Sequence, residues 1–206
     1  PDILNQIPRD AKFTVFRYSL MKSKKLKYEK VLPYFVNFKK LPIIYDNKPT
    51  IGFCGFATGR WFHRRRKKLC GQFKLNKNIT TDFIYRNKFC KAVVRENNKN
   101  NWRQEYIDNL NNNLFNFCYR GAGNFSIRFY EVLAAGRIPV LIDSDTELPF
   151  EEEIDWHNKI IFAKNVDEAI EKILDACKNR DLVKMQQGCR RLREEYFTEE
   201  AFLSKI

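Results

Sequence analysis

Five residues, Arg120-Gly121-Ala122-Gly123-Asn124, stand between an apolar run, Leu114 to Tyr119, and an amphipathic stretch, Asn124 to Ala135. Their types suit the holding of an anion. Two glycines let a backbone approach a ligand closely, a helix start presents unpaired N–H groups, and Arg120 adds a charged fork of donors. The run is not the dinucleotide fingerprint: GAGNFS lacks the third glycine of that pattern, and no acidic residue follows a strand at the expected place. A tight strand-to-helix turn, in which glycine only permits the geometry, accounts for a lone G-x-G at least as well.

Read as a helix from Asn124 to Ala135, the next stretch places Asn124, Arg128 and Glu131 on one face, while Phe125, Phe129, Val132 and Leu133 serve a core. Arg128 and Glu131 then have two readings. One is a surface ion pair of little energetic consequence. The other sets Arg128 near phosphate or sugar and Glu131 as the acceptor for two ribose hydroxyls.

The elements that must position these residues alternate. Thr50 to Ala57 reads as a strand, 61 to 73 as a helix, Thr81 to Tyr85 as a strand, and Trp102 to Leu110 as a short helix in Asn-rich surroundings. Leu114 to Tyr119, the helix stopped by Gly136, and Ile138 to Ile142 make a βαβ unit. Ile160 to Ala163 adds a strand. A helix follows with a capping box at Asn165 and Glu168, then a helix from Leu182 to Phe197, then a short one capped by Thr198. Such alternation predicts an α/β fold, a Rossmann-like parallel sheet with helices on both faces and ligands outside the strands' carboxyl ends. Residues 1–48, with breaks at Pro33 and Pro42, read as irregular or strand-like, and 49–206 as the Rossmann-like domain.

The chain has 206 residues and a formal charge of +13, a field that attracts polyanions without choosing among nucleic acid, anionic membrane and a diphosphate. Its basic residues are dispersed, and only Arg60 to Lys68 is dense. The six cysteines form no CxxC pair or Cys/His cluster, which argues against zinc; Cys54, Cys118, Cys177 and Cys189 fall at apolar periodic positions and read as buried thiols. No export signal and no apolar run of about 20 residues is visible, so the expectation is a soluble or cytoplasmic protein without a transmembrane segment. The sequence starts at Pro1 without Met, and a preceding anchor is compatible with that.

The stretch FCYRGAGNFSIRFYEVLAAGRIPVLIDSDTELPFEEEIDW resembles the core of the exostosin-type glycosyltransferases. Ser126, Arg128, Glu131, Gly136, Ile138, Pro139, Val140, Leu148, Pro149, Phe150, Ile154, Asp155 and Trp156 fit its pattern in order. IGFCGFATGRWFHRRRKKL and TTDFIYR agree more loosely, and the resemblance covers roughly residues 50 to 165. It implies a GT-B donor-binding half, with residues 1–48 as a remnant or minimal acceptor-side region. It also implies transfer of a sugar from a nucleoside diphosphate sugar, commonly a UDP-sugar, to an oligosaccharide or glycoprotein acceptor.

By position, Arg120 and Arg128 would neutralise the diphosphate, Ser126 and the backbone from Gly121 through Gly123 to Asn124 would hydrogen-bond it, and Glu131 would hold the ribose. Arg65 or Arg60 would approach it from the basic helix. Fixed cations would replace a metal, so no cofactor is expected. An inverting reaction needs a base, for which His63, Asp82 and Asp46 are the candidates. Asp155 and Trp156 also suit a cap and a core filler, and Asp143 and Asp145 either face a donor sugar or form an Asx-type turn with Ser144. The rival readings are a nucleic-acid-binding protein using the RWFHRRRKK run, and a sugar-nucleotide or glycan-binding module without catalysis; nucleic acid is not the expected partner.

Overall fold

The computed structural model describes residues 13–59, 61–87 and 99–206. Arg60 and Cys90 lie outside them. Two short strands, β1 (Val15–Arg17) and β2 (Glu29–Val31), pair in parallel near the amino end. The central sheet holds β3 (Thr50–Phe56), β4 (Thr80–Arg86), β5 (Phe115–Cys118), β6 (Ile138–Ile142) and β7 (Ile161–Ala163), all parallel, in the order β4-β3-β5-β6-β7. Seven helices accompany the described strands: α1 (Trp61–Lys74), α2 (Lys99–Asn112), α3 (Ile127–Ala135), α4 (Trp156–Lys159), α5 (Val166–Asn179), α6 (Leu182–Tyr196) and α7 (Glu199–Leu203).

Helices cover both faces, as the alternating sequence predicts. One face packs Phe53, Phe117, Val140 and Ala163 against Leu69 and Phe73 of α1 and Ala169 and Ile173 of α5. The other packs Cys54, Cys118, Leu141 and Phe162 against Tyr106 and Leu110 of α2, Phe129 and Leu133 of α3, and Cys189 and Leu192 of α6. Every residue of β5, β6 and β7 is buried, which is why β6 and β7 read as unbroken apolar runs; in β5 the run is interrupted by Asn116, whose buried amide donates to Asn113 O.

Pro139 in a central strand needs an explanation, since proline cannot donate to a ladder. The Ile138 N–H donates to Leu114 O on the β5 side at 3.1 Å, so the next residue faces β7. The β7 pairing begins only at Val140 with Ile161, so the missing N–H falls beyond the start of that strand.

Residues 34–41 drape over the second face, and Ile44 reaches the core of the first. Phe38 and Leu41 join the core of the second, the Leu41 N–H donates to Ala135 O at 3.1 Å, and Ile44 exchanges two backbone bonds with the Gln186 amide at 3.0 and 2.7 Å. The caps read from sequence are present. Asn165 accepts from the Glu168 N–H at 2.9 Å, Thr198 from Ala201 at 3.0 Å, and Asp155 from Asn158. Glu168 itself accepts from the Lys164 N–H at 2.8 Å, one residue before the position a capping box reaches. Trp156 is buried against Phe197, and its indole donates to Pro149 O at 3.0 Å. Asp143 accepts from the Asp145 N–H at 2.8 Å, closing an Asx turn.

The helix expected from Asn124 begins instead at Ile127. The Asn124 N–H donates to Ser19 Oγ at 2.7 Å and its amide is bound to the loop after β6, while Ser126 is extended at φ −130°. Asn124 therefore does not share a helical face with Arg128 and Glu131.

Cys54, Cys70, Cys118, Cys177 and Cys189 are free thiols, and burial pushes Cys70, Cys118 and Cys189 up to about 12 and Cys177 to about 11. No described helix is long and apolar enough to cross a membrane.

Gly136 ends α3 in the left-handed region at φ 74°, and a side chain there would run into Arg190. Gly136→Ala is expected to lower stability by about 1–3 kcal/mol, measured by urea unfolding.

Candidate functional site

The strand order reverses direction between β3 and β5, because the chain steps from β3 outward to β4 and then from β5 the other way to β7. This switch point is where an open α/β sheet leaves a crevice at its carboxyl edge. The two strands pair only at Ile51 with Phe115 and at Gly52 with Asn116, and then diverge. Successive residues face opposite neighbours, and the Ala57 N–H donates to Arg86 O beside β4, so the carbonyls of Cys54 and Phe56 face the gap. By the same alternation Tyr119 O faces it from the other side.

Two arginines take these carbonyls in place of a ladder. Arg66 of α1 donates through Nη1 to Phe56 O at 3.2 Å, through Nη2 to Tyr119 O at 3.3 Å and through Nε to Arg120 O at 3.2 Å. Arg128, in the first turn of α3, donates to Cys54 O and lies against the rings of Phe53 and Tyr106, 4.4 and 5.1 Å from their centroids. Gly55 permits this: a Cβ there would collide with the Arg128 guanidinium. The Nη1 of Arg128 is buried without a hydrogen-bond partner.

Arg120 is the third cation. It donates to Ala122 O at 3.3 Å, lies 5.9 Å from the Trp61 ring centroid, and has a buried Nε without a hydrogen-bond partner. Its loop is closed by the Gly121 N–H bonding Phe125 O at 3.0 Å, and a Cβ on Gly123 would stand 2.8 Å from the Phe125 ring. Among the described residues none of Arg66, Arg120 and Arg128 has an ion pair. Burial, and next the positive charge of Arg128, lower Arg66 to about 10, which leaves it protonated at neutral pH. Three cations without an ion pair among the described residues thus gather at one strand edge, an arrangement chemically suited to an anion.

The remaining expected residues are distributed as follows. Ser126 occupies the N-cap of α3, its hydroxyl makes no cap bond, and it lines a cavity of about 20 Å³ with Arg120, Tyr18 and Thr146, room for one water. Glu131 accepts from the Tyr106 hydroxyl at 2.5 Å and has Arg103 at 3.9 Å, so its carboxylate is engaged with α2. The Asn124 amide is spent inside the protein, donating to Leu20 O and Asp145 O and accepting from Ser144. Arg65 is exposed on α1, and it is Arg66 that turns inward. Arg66 stands three, four and seven residues before Leu69, Cys70 and Phe73, the apolar stripe of the helix, and that spacing is the signal that marks it.

Of the candidate bases, His63 packs edge-on against Phe56 at the carboxyl end of β3, 4.2 Å between centroids. Asp82 accepts from the amides of Asn109 and Asn113 at 2.8 Å each, inside a network over Gly52. Asp46 is exposed, pairs with Lys48 at 2.9 Å, and precedes β3, whose seven residues span about 20 Å from the arginines. The Lys48 ammonium beside it holds its carboxyl below the usual range. No described group of three His, Cys, Asp or Glu is arranged to hold a metal ion.

A parallel sheet with helices on both faces and guanidinium groups gathered at its switch point defines a Rossmann-like domain. Residues 30–193 match the Exostosin GT47 domain, and the chain belongs to that glycosyltransferase family. It is 33% identical over 95 residues to an Exostosin-1 homolog of Caenorhabditis elegans, covering 46% of this chain and 25% of that protein. It is 43% identical over 68 residues to Exostosin-1 of Drosophila melanogaster, covering 33% and 9%. The chain thus spans a quarter or less of these relatives. The fold is shared with a TarM mutant from S. aureus, solved in complex with Fondaparinux, alpha-GlcNAc-glycerol and UDP. The TM-score is 0.56 at 15% identity, over 99% of this chain and 40% of that one.

The bonds to Asp82 are those of a structural carboxylate. Asp82→Ala removes one of the two bonds donated by each of two buried amides, Asn109 and Asn113, and is expected to cost about 1–3 kcal/mol in denaturant unfolding. A catalytic base would instead give an inactive protein of unchanged stability.

Proposed function

We propose that this chain binds the diphosphate of a nucleoside diphosphate sugar, a UDP-sugar, and transfers the sugar to an oligosaccharide or glycoprotein acceptor with inversion and without a divalent ion. The observation that carries the reading is the set of Arg66, Arg120 and Arg128 at the switch point, with two buried donor nitrogens that lack hydrogen-bond partners and no described carboxylate partner. Phosphate oxygens supply what those donors lack. UDP in the complex of the structurally similar TarM mutant agrees with a uridine nucleotide.

In this reading Arg120 and Arg128 take the diphosphate oxygens. Ser126 adds a hydroxyl at the amino end of α3, where unpaired N–H groups favour negative charge. As the bond to the sugar breaks, negative charge grows on the leaving diphosphate, and fixed guanidinium groups stabilise it without reorganising. That is the service a divalent ion gives elsewhere. The Tyr106 hydroxyl holds Oε2 of Glu131, and Oε1, with Arg103 at 3.9 Å, is the oxygen offered to ribose. The acceptor's proton goes to His63, which of the three candidate bases stands beside the carboxyl end of β3.

Calorimetric titration with UDP, GDP and a short oligonucleotide tests the reading. UDP is expected to bind, and Arg120→Ala and Arg128→Ala each to weaken it by about 10- to 100-fold, the worth of a charged hydrogen bond. Tight oligonucleotide binding with no nucleotide response would favour a nucleic-acid protein. Turnover of a UDP-sugar panel in EDTA separates an enzyme from a binding module. His63→Ala is expected to reduce kcat by about 10²- to 10⁴-fold with unfolding unchanged.

A further inference from the structure

We infer that Arg66 is a positioning residue for the diphosphate cradle: one guanidinium fixes the width of the switch-point crevice and the direction of Arg120 without itself meeting the substrate. The inference rests on the diphosphate reading above. All three of its donor nitrogens are occupied, Nη1 by Phe56 O, Nη2 by Tyr119 O and Nε by Arg120 O, at 3.2 to 3.3 Å. The neighbouring Arg120 and Arg128 each keep a buried nitrogen without a hydrogen-bond partner. The three cations therefore divide into two that each keep a buried nitrogen with no partner and one whose every nitrogen already bonds a protein carbonyl, using three of its five N–H donors.

The place of Arg66 gives it leverage. Ladder pairing between β3 and β5 stops at Gly52 and Asn116, so nothing in the sheet fixes how far apart Phe56 and Tyr119 lie. A planar fork bonded to both carbonyls sets that distance. Its third bond, to Arg120 O, orients the peptide from which the Gly121 to Gly123 loop departs. A lysine keeps the charge but presents one nitrogen and cannot span three carbonyls.

The experiment measures UDP and uridine binding by calorimetry for the unaltered chain, Arg66→Lys, Arg120→Ala and the double variant, with a thermal melt of each. Arg66→Lys is expected to weaken UDP about 10-fold or more while uridine affinity stays within about 2-fold, because only the phosphates feel the loop. The double variant is expected to be no more than about 3-fold weaker than Arg120→Ala, since both changes disable one loop. UDP affinity of Arg66→Lys within 2-fold of the unaltered chain, with Arg120→Ala still impaired, overturns the role of Arg66 and leaves the cradle standing. Failure of the unaltered chain to bind UDP overturns both. Should Arg66→Lys not fold, hydrogen exchange of the unaltered chain decides: UDP is expected to slow amides at 57–59 and 119–122 together, and slowing at 119–122 alone overturns the inference.

Discussion

Parallel strands that separate leave carbonyl oxygens facing a gap, and each needs a donor once water is displaced. Here the gap between β3 and β5 is filled by the guanidinium groups of Arg66 and Arg128, reaching in from helices on opposite faces of the sheet. The same substitution that satisfies Cys54 O, Phe56 O and Tyr119 O brings full positive charges to the carboxyl edge. Carbonyls are partial charges and do not neutralise them. The local need for donors thus produces a cationic crevice, and the proposed anion site follows from how the sheet opens.

The two faces are not equivalent. On the side of α1 and α5 the packing is aromatic and aliphatic, and Arg66 is the polar intruder in an otherwise apolar stripe. On the other side polar anchors hold α2 in place: Arg86 to Glu105, Tyr106 to Glu131, and Asn109 and Asn113 to Asp82. Arg137, fully buried and bonded to Leu110 O and Asn111 O, holds the carboxyl end of the same helix. Burial lowers Arg137 to about 10, and carbonyls at a helix end suit its charge. Glu131 belongs to this set of anchors, tied to α2 through Tyr106 and Arg103.

The alternation of strands and helices, the βαβ unit and the caps were legible because each rests on local chemistry: apolar runs, Gly136, Asn165, Thr198. Arg120 and Arg128 were legible from a glycine loop and from the family pattern. The start of α3 was not. Ser19 and Asp145, distant in sequence, hold Asn124 out of the helix that its neighbours favour. Arg66 was missed for a different reason. It lies in one basic run with Arg60 and Arg65, the arginines named from the sequence, and charge alone ranks the three equally, whereas the apolar stripe of α1 marks Arg66 as inward. Periodicity contained that answer and composition masked it.

Asn124 also shows what the amino-terminal segment contributes. Ser19 and Leu20 bond to it from before β2, and Ser144 and Asp145 from after β6, so three separate stretches meet at one amide. Ser23 and Lys22 bond Asp145 in turn, and Met21 bridges Thr146. Two ends of the Arg120 loop are therefore fixed by different means: Arg66 holds its beginning to the sheet, and the 19–23 segment holds its end to the loop beyond β6. A glycine-containing loop would otherwise sample many conformations and lose entropy on binding. Clamped at both ends, it presents Arg120 and Ser126 with that cost already met in folding. Residues 19–23 thereby bear on the proposed anion site without being part of the central sheet.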